Sequence, residues 1–259
     1  MSDSKEITLA EPLLSMLKDM ELVFQKFGID YFIAGAFARD IHFLNNESDI
    51  KLRKTDDVDI AVYLRNEDQF HAIIEALEVS GLFVQNHKNP IKLIYKSALE
   101  VDLIPFGGIE DENRDTILTK PKVFILQMPG FLETFPFIED IRAEKLILKT
   151  CPLEGLVMLK LLSNNSKPDR THDLIDIDNI IDAYFDWYAD EIYTTHSELF
   201  EIYDVEDLHY YMPMVAAHLI GRKMNNILKA NTDLKNRIIG IVEKKENPRL
   251  KAIYNALRE

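Results

Sequence analysis

Cysteine is almost absent from this sequence of 259 residues, and so are long apolar runs. The single cysteine, Cys151, has no partner for an internal disulfide, which points to a reducing compartment. No apolar run approaches the ~20 residues that a membrane-spanning helix needs. The N-terminal segment also lacks the charged-then-apolar layout of a secretory signal peptide. We therefore expect a cytoplasmic protein that does not engage a membrane.

Basic residues are also in deficit. The chain has 30 Lys and Arg against 44 Asp and Glu, for a formal net charge of −14. A protein that coats nucleic acid without sequence preference needs a basic face, so the balance argues against that class. The charge is uneven: residues 169–207 hold 13 acidic side chains and one basic, whereas residues 222–259 hold 10 basic and 4 acidic. Such runs are usually solvated helix faces, and the alternative is a basic tail that guides a polyanion.

Neither a repeat of fixed period nor a low-complexity segment occurs in the chain. Its hydrophobic fraction of 47% is enough for two packed lobes. Short apolar runs alternate with helical spacing up to about residue 150, and helical spacing dominates afterwards. We predict an α+β fold, with a small mixed sheet and flanking helices in residues 1–150 and a helical C-terminal domain in residues 151–259.

The predicted elements follow from apolar spacing and from turn and cap residues. The predicted strands are Tyr31–Ala34, Val58–Tyr63, Ile91–Tyr95, Leu99–Ile104, Val123–Gln127 and Lys145–Lys149. The predicted helices are Leu9–Phe27, Ala36–Leu44, Asn66–Ser80, Gly155–Leu162, Leu174–Tyr188, Val205–Met224, Leu234–Val242 and Pro248–Arg258. Asn66 is the expected N-cap of its helix.

Two carboxylates, Asp57 and Asp59, stand two residues apart at the entry of a predicted strand. Side chains alternate between the faces of a strand, so both carboxylates point to the same face. Hard divalent cations such as Mg²⁺ or Mn²⁺ prefer oxygen ligands, and in phosphoryl transfer they rest on one or two carboxylates plus substrate phosphates. A solvated turn before the strand is the alternative for this pair.

A glycine separates the strand Tyr31–Ala34 from the helix that follows it. At such a turn, phosphate oxygens can approach the backbone N–H groups of Gly35 and Ala36 at the helix N-terminus. An ordinary tight turn is the alternative. Arg39 on this helix is a candidate phosphate contact, or a structural ion-pair partner of Asp40 or Asp56. Arg53 and Thr55 are further candidates for nucleotide binding, although Arg53 also suits a plain loop charge.

Asp102 lies inside an otherwise apolar predicted strand, Leu99–Ile104. An unpaired charge there costs several kcal/mol of desolvation unless a cation compensates it. We expect a metal ion shared with Asp57 and Asp59 to do so. A nearby Lys or Arg is the less favoured alternative, because the two aspartate-bearing strands fit beside each other in one sheet. Three carboxylates beside a phosphate-binding turn suit two-metal phosphoryl transfer with pyrophosphate as the leaving group.

Five segments occur in the order IAGAFARD, RKTDDVDIAV, VDLIPFGGIE, LEGLVMLKL and RTHDLIDI. This ordered set covers about Tyr31 to Tyr184. It resembles the nucleotidyltransferases of the AbiEii/AbiGii toxin type, within the DNA-polymerase-β-like superfamily.

The resemblance implies roles for residues on both sides of residue 150. Gly35 would contact the triphosphate, and the three carboxylates Asp57, Asp59 and Asp102 would bind the metal. Lys160 matches a lysine that engages the nucleotide and takes part in catalysis, with a surface lysine as the alternative. Downstream, Asp173 and Asp176 match an acidic motif, in which Asp173 is the better catalytic candidate.

The function that we expect is transfer of a nucleoside monophosphate from a nucleoside triphosphate to a hydroxyl of RNA, such as tRNA, or of a protein. The resemblance implies a toxin or phage-defence role, with a possible cognate antitoxin as partner. One alternative is a small-molecule nucleotidyltransferase of the antibiotic-modifying type, since an acidic second lobe suits a cationic substrate. A second alternative is a regulatory nucleotide-binding module without turnover, which would not require the third carboxylate.

Overall fold

Strands and helices are mixed in the first part of the chain, and the described residues of the second part form helices. The computed structural model describes residues 6–50, 57–203 and 208–259. The strands are β1 (Glu6–Ile7), β2 (Tyr31–Ala34), β3 (Asp57–Leu64), β4 (Phe83–Gln85), β5 (Lys92–Tyr95), β6 (Leu99–Gly107), β7 (Asp115–Leu118), β8 (Phe124–Gln127), β9 (Glu139–Ala143) and β10 (Leu146–Thr150). The helices are α1 (Glu11–Phe27), α2 (Gly35–Asn45), α3 (Glu67–Val79), α4 (Phe131–Thr134), α5 (Leu153–Ser166), α6 (Thr171–Trp187), α7 (Ala189–Thr195), α8 (Leu208–Ile227), α9 (Thr232–Glu243) and α10 (Pro248–Leu257).

Among the described residues, eight strands form one mixed sheet in the order β1-β9-β10-β2-β3-β6-β5-β4. Strands β7 and β8 form a separate antiparallel pair. At the centre, β3 pairs antiparallel with β2 and parallel with β6. One face of β3 carries Val58, Ile60, Val62 and Leu64, all buried. This apolar face is the reason that β3 occupies a central position in the sheet.

Local sequence explains where the flanking helices begin and end. The side chain of Asn66 accepts a hydrogen bond from the backbone N–H of Gln69, which caps α3 as predicted. Helix α1 ends at Gly28, whose left-handed conformation lets the chain turn back towards β2. Helix α2 packs on β2 and β3, and α3 packs on β3. These helices hold the two central strands in place.

The chain divides into two compact units. The described residues before Asn46 and from Asp57 to Cys151 form the first unit. Those from Pro152 to Glu259, with a short segment that begins at Asn46, form the second. The assignment of residues 1–150 and 151–259 to separate functional domains stays a prediction.

Helices α5, α6, α8, α9 and α10 pack against one another in the second unit. Buried residues such as Ile180, Val215, Leu219 and Ile253 fill the space between them. Together with the mixed sheet of the first unit, this helical unit confirms the predicted α+β fold class. None of the described helices combines the length and apolar character that crossing a bilayer requires.

Sequence patterns missed the shorter elements. They did not predict β4, β7, β9 or the helix α7. Strand β9 shows why, because its side chains are mostly polar and Ile141 is its one large buried apolar residue. Its pairing comes from an antiparallel register with β10, which includes Ile141 opposite Leu148. The predicted helix Val205–Met224 corresponds to α8, and its first residues lie outside the described part of the chain.

Candidate active site

The turn between β2 and α2 is shaped around a carboxylate. Ala34, the last residue of β2, pairs with Asp59 of β3. Gly35 follows with φ of 63°, a left-handed conformation that glycine adopts without strain. A Cβ on Gly35 would lie 1.8 Å from Oδ2 of Asp59, which is far inside van der Waals contact. Only glycine fits here, because the Asp59 carboxylate lies directly against the Cα of Gly35.

Asp59 therefore lies beside the first turn of α2, where the backbone N–H groups have no partner within the helix. Gly35 and Ala36 are the first two residues of that helix. An anion that binds at this turn meets both the N–H groups and the positive end of the helix dipole. The glycine turn and the Asp59 carboxylate thus lie side by side in the first unit, and their roles in binding phosphate and metal stay predictions.

The three predicted metal-binding carboxylates lie on one face of the sheet. Asp57 and Asp59 alternate with the buried residues of β3 and share its less buried face. In the parallel pairing of β3 with β6, Asp57 lies opposite Glu100 and Asp59 lies opposite Asp102. Paired residues of neighbouring strands project to the same face. Asp57, Asp59, Glu100 and Asp102 thus occupy adjacent register positions at the end of this face where β3 and β6 begin.

Asp102 has a cationic partner that the sequence reasoning disfavoured. Lys92 of β5 lies directly opposite Asp102 in the antiparallel pairing of β5 with β6. Nζ of Lys92 lies 3.4 Å from Oδ1 of Asp102 and donates a hydrogen bond of 2.5 Å to Oε2 of Glu100. The less favoured alternative, a lysine beside Asp102, is therefore present, because β5 lies between β6 and the outer strand β4 and brings Lys92 to β6.

Burial and charge both act on this pair. Burial raises the pKa of the Asp102 carboxyl; Lys92 opposes the rise, and the negative charge of Asp57 adds to it. Burial alone would lower the pKa of Lys92, but the hydrogen bond to Glu100 and the charge of Asp102 raise it above its ordinary value. Lys92 therefore stays protonated and partly neutralises the carboxylate face.

The opposite end of the same face is aromatic. The aromatic rings that pack there belong to Phe32, Tyr63, Phe106, Phe131 and Phe135. The distance between ring centroids is 5.4 Å for Phe32 and Phe106 and 5.5 Å for Tyr63 and Phe135, which are stacked. Tyr63 follows Asp59 by four residues on β3, and Phe106 follows Asp102 by four on β6. The sequence reasoning missed this cluster, although the period of two along each strand carries the signal.

The candidate nucleotide-binding cations differ in what the structure says of them. Arg39 is fully buried, and its Nε and Nη2 donate hydrogen bonds of 2.8 and 2.5 Å to Oδ1 of Asp40. This is the ion pair that the sequence left open as the alternative to a phosphate contact. Arg53 and Thr55 lie outside the described residues.

Lys160 lies inside the second unit and is only 6% exposed, so the alternative of a surface lysine is wrong. Its Nζ donates a hydrogen bond of 2.6 Å to Oδ2 of Asp176 and lies 3.7 Å from Oδ1 of Asp173. Oδ2 of Asp173 accepts a hydrogen bond of 2.9 Å from Arg170. The acidic motif and the lysine that the resemblance singled out therefore form one buried ion-pair cluster that joins α5 to α6.

The carboxylate face suits a hard divalent ion in its donor chemistry. Oδ1 of Asp102 is buried and accepts no hydrogen bond that meets the usual geometry from the described residues, so that Lys92 at 3.4 Å is the cation beside this oxygen in the metal-free protein. Within residues 6–50, 57–203 and 208–259, no three acidic, histidine or cysteine side chains converge as a complete metal site. Mg²⁺ commonly binds through one or two carboxylates and completes its shell with substrate phosphates and water. The residues present fit that incomplete kind of site.

Comparison with known proteins gives fold-level likeness alone. No family model matches the sequence, so the AbiEii/AbiGii resemblance stays a prediction, and no curated protein matches it either. Several solved structures resemble the chain at low identity. One is ANT(2")-Ia in complex with adenylyl-2"-tobramycin, at 12% identity and a TM-score of 0.43, covering 66% of this chain and 88% of that one.

Two further structures are similar over more of this chain. An antigenic nucleotidyltransferase-like protein from Paracoccidioides brasiliensis is 13% identical, with a TM-score of 0.44, over 90% of this chain and 94% of that one. The Thermotoga maritima CCA-adding enzyme complexed with tRNA is 16% identical, with a TM-score of 0.29, over 97% of this chain and 63% of that one. One of these structural neighbours is named a nucleotidyltransferase-like protein, another is a CCA-adding enzyme, and the third holds an adenylylated tobramycin.

Proposed function

We propose that the protein is a metal-dependent nucleotidyltransferase, which moves a nucleoside monophosphate from a nucleoside triphosphate to an acceptor hydroxyl and releases pyrophosphate. The observation that carries this proposal is the packing of the Asp59 carboxylate against Gly35, with Asp57 and Asp102 on the same face of the sheet. This arrangement puts a cation-binding group beside an anion-binding helix N-terminus. A triphosphate chelated to Mg²⁺ needs both.

In the proposed reaction, different residues bind the phosphates and the metal ion. The N–H groups of Gly35 and Ala36 bind and orient the phosphates, while Asp57 and Asp59 hold Mg²⁺ or Mn²⁺. The ion, when bound, offsets the negative charge that develops on the phosphates and lowers the pKa of the acceptor hydroxyl. The acceptor oxygen forms a bond to the α-phosphorus, the bond to the bridging oxygen of pyrophosphate breaks, and a carboxylate of this face accepts the hydroxyl proton.

The acceptor that we favour is a hydroxyl of RNA or of a protein, in a toxin or phage-defence setting with an antitoxin as partner. Its support is the ordered set of sequence segments from Tyr31 to Tyr184. A small-molecule acceptor of the aminoglycoside kind is the second candidate. It is favoured by the open cleft of about 430 Å³ in the second unit. Asp178, Asp182 and Glu246 line this cleft together with Arg249, which pairs with the two aspartates, so the lining keeps a net negative charge suited to a cationic molecule.

The test is to incubate the purified protein with Mg²⁺, each α-labelled triphosphate, and either total RNA or a panel of aminoglycosides. We expect label transfer to one acceptor class, lost in Asp57→Asn and Asp59→Asn. Asp68→Asn is the matched control, because Asp68 is an exposed carboxylate on α3 of the same unit. The two active-site variants should unfold at the same temperature as the parent or higher without metal, since each removes repulsion between like charges. Transfer that persists in both variants would refute the proposal.

A further inference from the structure

We propose that Lys92 is a positioning residue that acts as a tethered cation: it occupies Asp102 in the metal-free protein and thereby sets the affinity of the carboxylate face for a divalent ion. The inference rests on the proposed function, because it assumes that Asp102 joins Asp57 and Asp59 in binding that ion. It adds a residue from a strand that none of the sequence motifs includes.

The position of Lys92 is fixed by backbone pairing. Strand β5 pairs antiparallel with β6, so Lys92 and Asp102 are direct partners and project to the same face. The side chains of both residues are only 18% exposed. A lysine in this setting has lost much of its rotamer freedom and is poorly screened by solvent. Its charge is therefore a constant part of the electrostatics of the carboxylate face.

Lys92 also has a second carboxylate partner, which it keeps when Asp102 binds a divalent ion. Its hydrogen bond to Glu100 is the shorter contact, at 2.5 Å against 3.4 Å to Asp102. Glu100 projects to the same face as Asp102 and is the more exposed of the two, at 49% of its side chain. When a divalent ion takes Oδ1 of Asp102, Lys92 keeps its bond to Glu100. The lysine thus competes with the ion for Asp102 but is not left unpaired.

Competition between Lys92 and the divalent ion for Asp102 predicts the direction in which metal affinity changes when the lysine is replaced. Removing the Lys92 charge should tighten divalent binding, because the carboxylates lose their internal cation, and should lower stability without metal, because their repulsion is no longer offset. For Lys92→Met we expect the Mn²⁺ dissociation constant to fall about tenfold, the scale of one point charge near an ion in a half-buried site. Lys92→Arg keeps the charge and should restore an affinity close to that of the parent.

The measurement is a titration of the full chain with Mn²⁺, without nucleotide, followed by calorimetry or by the electron paramagnetic resonance of free Mn²⁺. Lys96→Met is the matched control: it makes the same change in net charge on the same side of β6, but Lys96 is 51% exposed and lies 3.8 Å from Asp19. Screening should keep its effect below about twofold. Asp57→Asn identifies the site, because it should weaken Mn²⁺ binding in every background.

The outcomes separate this inference from the proposed function. If the parent binds Mn²⁺ through Asp57 but Lys92→Met and Lys96→Met change the affinity equally, the tethered-cation role is wrong and the metal site stands. If Lys92→Met weakens binding, Lys92 is a structural support of the site and the inference also fails. If the parent binds no Mn²⁺ at all without nucleotide, the tethered-cation role is overturned, and the transfer assay with Asp57→Asn and Asp59→Asn decides the proposed function by itself. Should Lys92→Met fail to fold, Lys92→Gln tests the same point, because it removes the charge but keeps a side chain that can donate a hydrogen bond to Glu100, and it too should tighten Mn²⁺ binding.

Discussion

Gly35 is the residue whose role depends most on its surroundings. Its φ of 63° and the contact of Asp59 with its Cα are separate constraints on the same position. The first is a backbone constraint that a strand–turn–helix pattern in the sequence predicts. The second arises because Ala34 pairs with Asp59, and that pairing joins segments 25 residues apart.

Gly35→Ala should therefore damage activity far more than backbone strain alone would. The new methyl group displaces the Asp59 carboxylate, and misplacement of a reacting group by about 1 Å can cost roughly a hundredfold in rate. Gly28→Ala is a matched control, since Gly28 has φ of 62° and nothing within 4 Å of an added Cβ. We expect Gly28→Ala to cost about 1 kcal/mol of unfolding free energy and to leave transfer unchanged. Equal activities of the two variants would show that the Asp59 contact is not needed.

At the scale of elements, α5 and α6 are joined by buried charge. Lys160 on α5 and Asp176 on α6 are both buried and share a hydrogen bond of 2.6 Å, with Asp173 close by. A leucine-rich helix with one lysine gives no sign in its sequence that the lysine faces the core. The burial becomes visible only when the carboxylates of α6 are placed opposite it.

Lys160→Met should destabilise the protein by about 3 kcal/mol, because it leaves buried carboxylates without their cation. The double variant Lys160→Met with Asp176→Leu removes the hydrogen-bonded pair and should recover most of that loss. Chemical unfolding of the parent and the three variants measures both effects as a double-mutant cycle. If the stable double variant also loses nucleotide binding, the pair has a role in the reaction; if binding is retained, the pair is structural and Lys160 does not engage the nucleotide.

At the scale of the whole molecule, the net charge of −14 conceals ion pairs between its two most uneven segments. Both segments lie in the second unit. Arg222 pairs with Glu198, Lys223 with Glu191, and Arg249 with Asp178 and Asp182. Part of the basic excess of residues 222–259 therefore neutralises the acidic segment instead of facing solvent. The charge runs are therefore neither purely solvated helix faces nor purely a basic tail that is free to guide a polyanion.

Within the described residues, Arg237 and Lys244 on or next to α9 are exposed and are paired with no carboxylate. If this tail guides an RNA acceptor, Arg237→Glu with Lys244→Glu should lower RNA modification at low salt and flatten its salt dependence, because fewer counterions are released on binding. Lys88→Glu with Lys122→Glu makes the same change in net charge on the first unit and serves as the control. Identical salt profiles for the two double variants would remove the tail from the acceptor site.

The sequence by itself determined what depends on local spacing. The alternation of side chains set Asp57 and Asp59 on one face, the glycine after an apolar strand set the turn, Asn66 capped α3, and 3.6-residue periodicity marked the helical second unit. The tertiary structure alone decided which distant residues meet: Asp59 with Gly35, Asp102 with Lys92, and Lys160 with Asp176. The physical reason is that strand register and helix packing are fixed by the summed burial of many apolar side chains, and no local pattern records which polar groups that burial brings together.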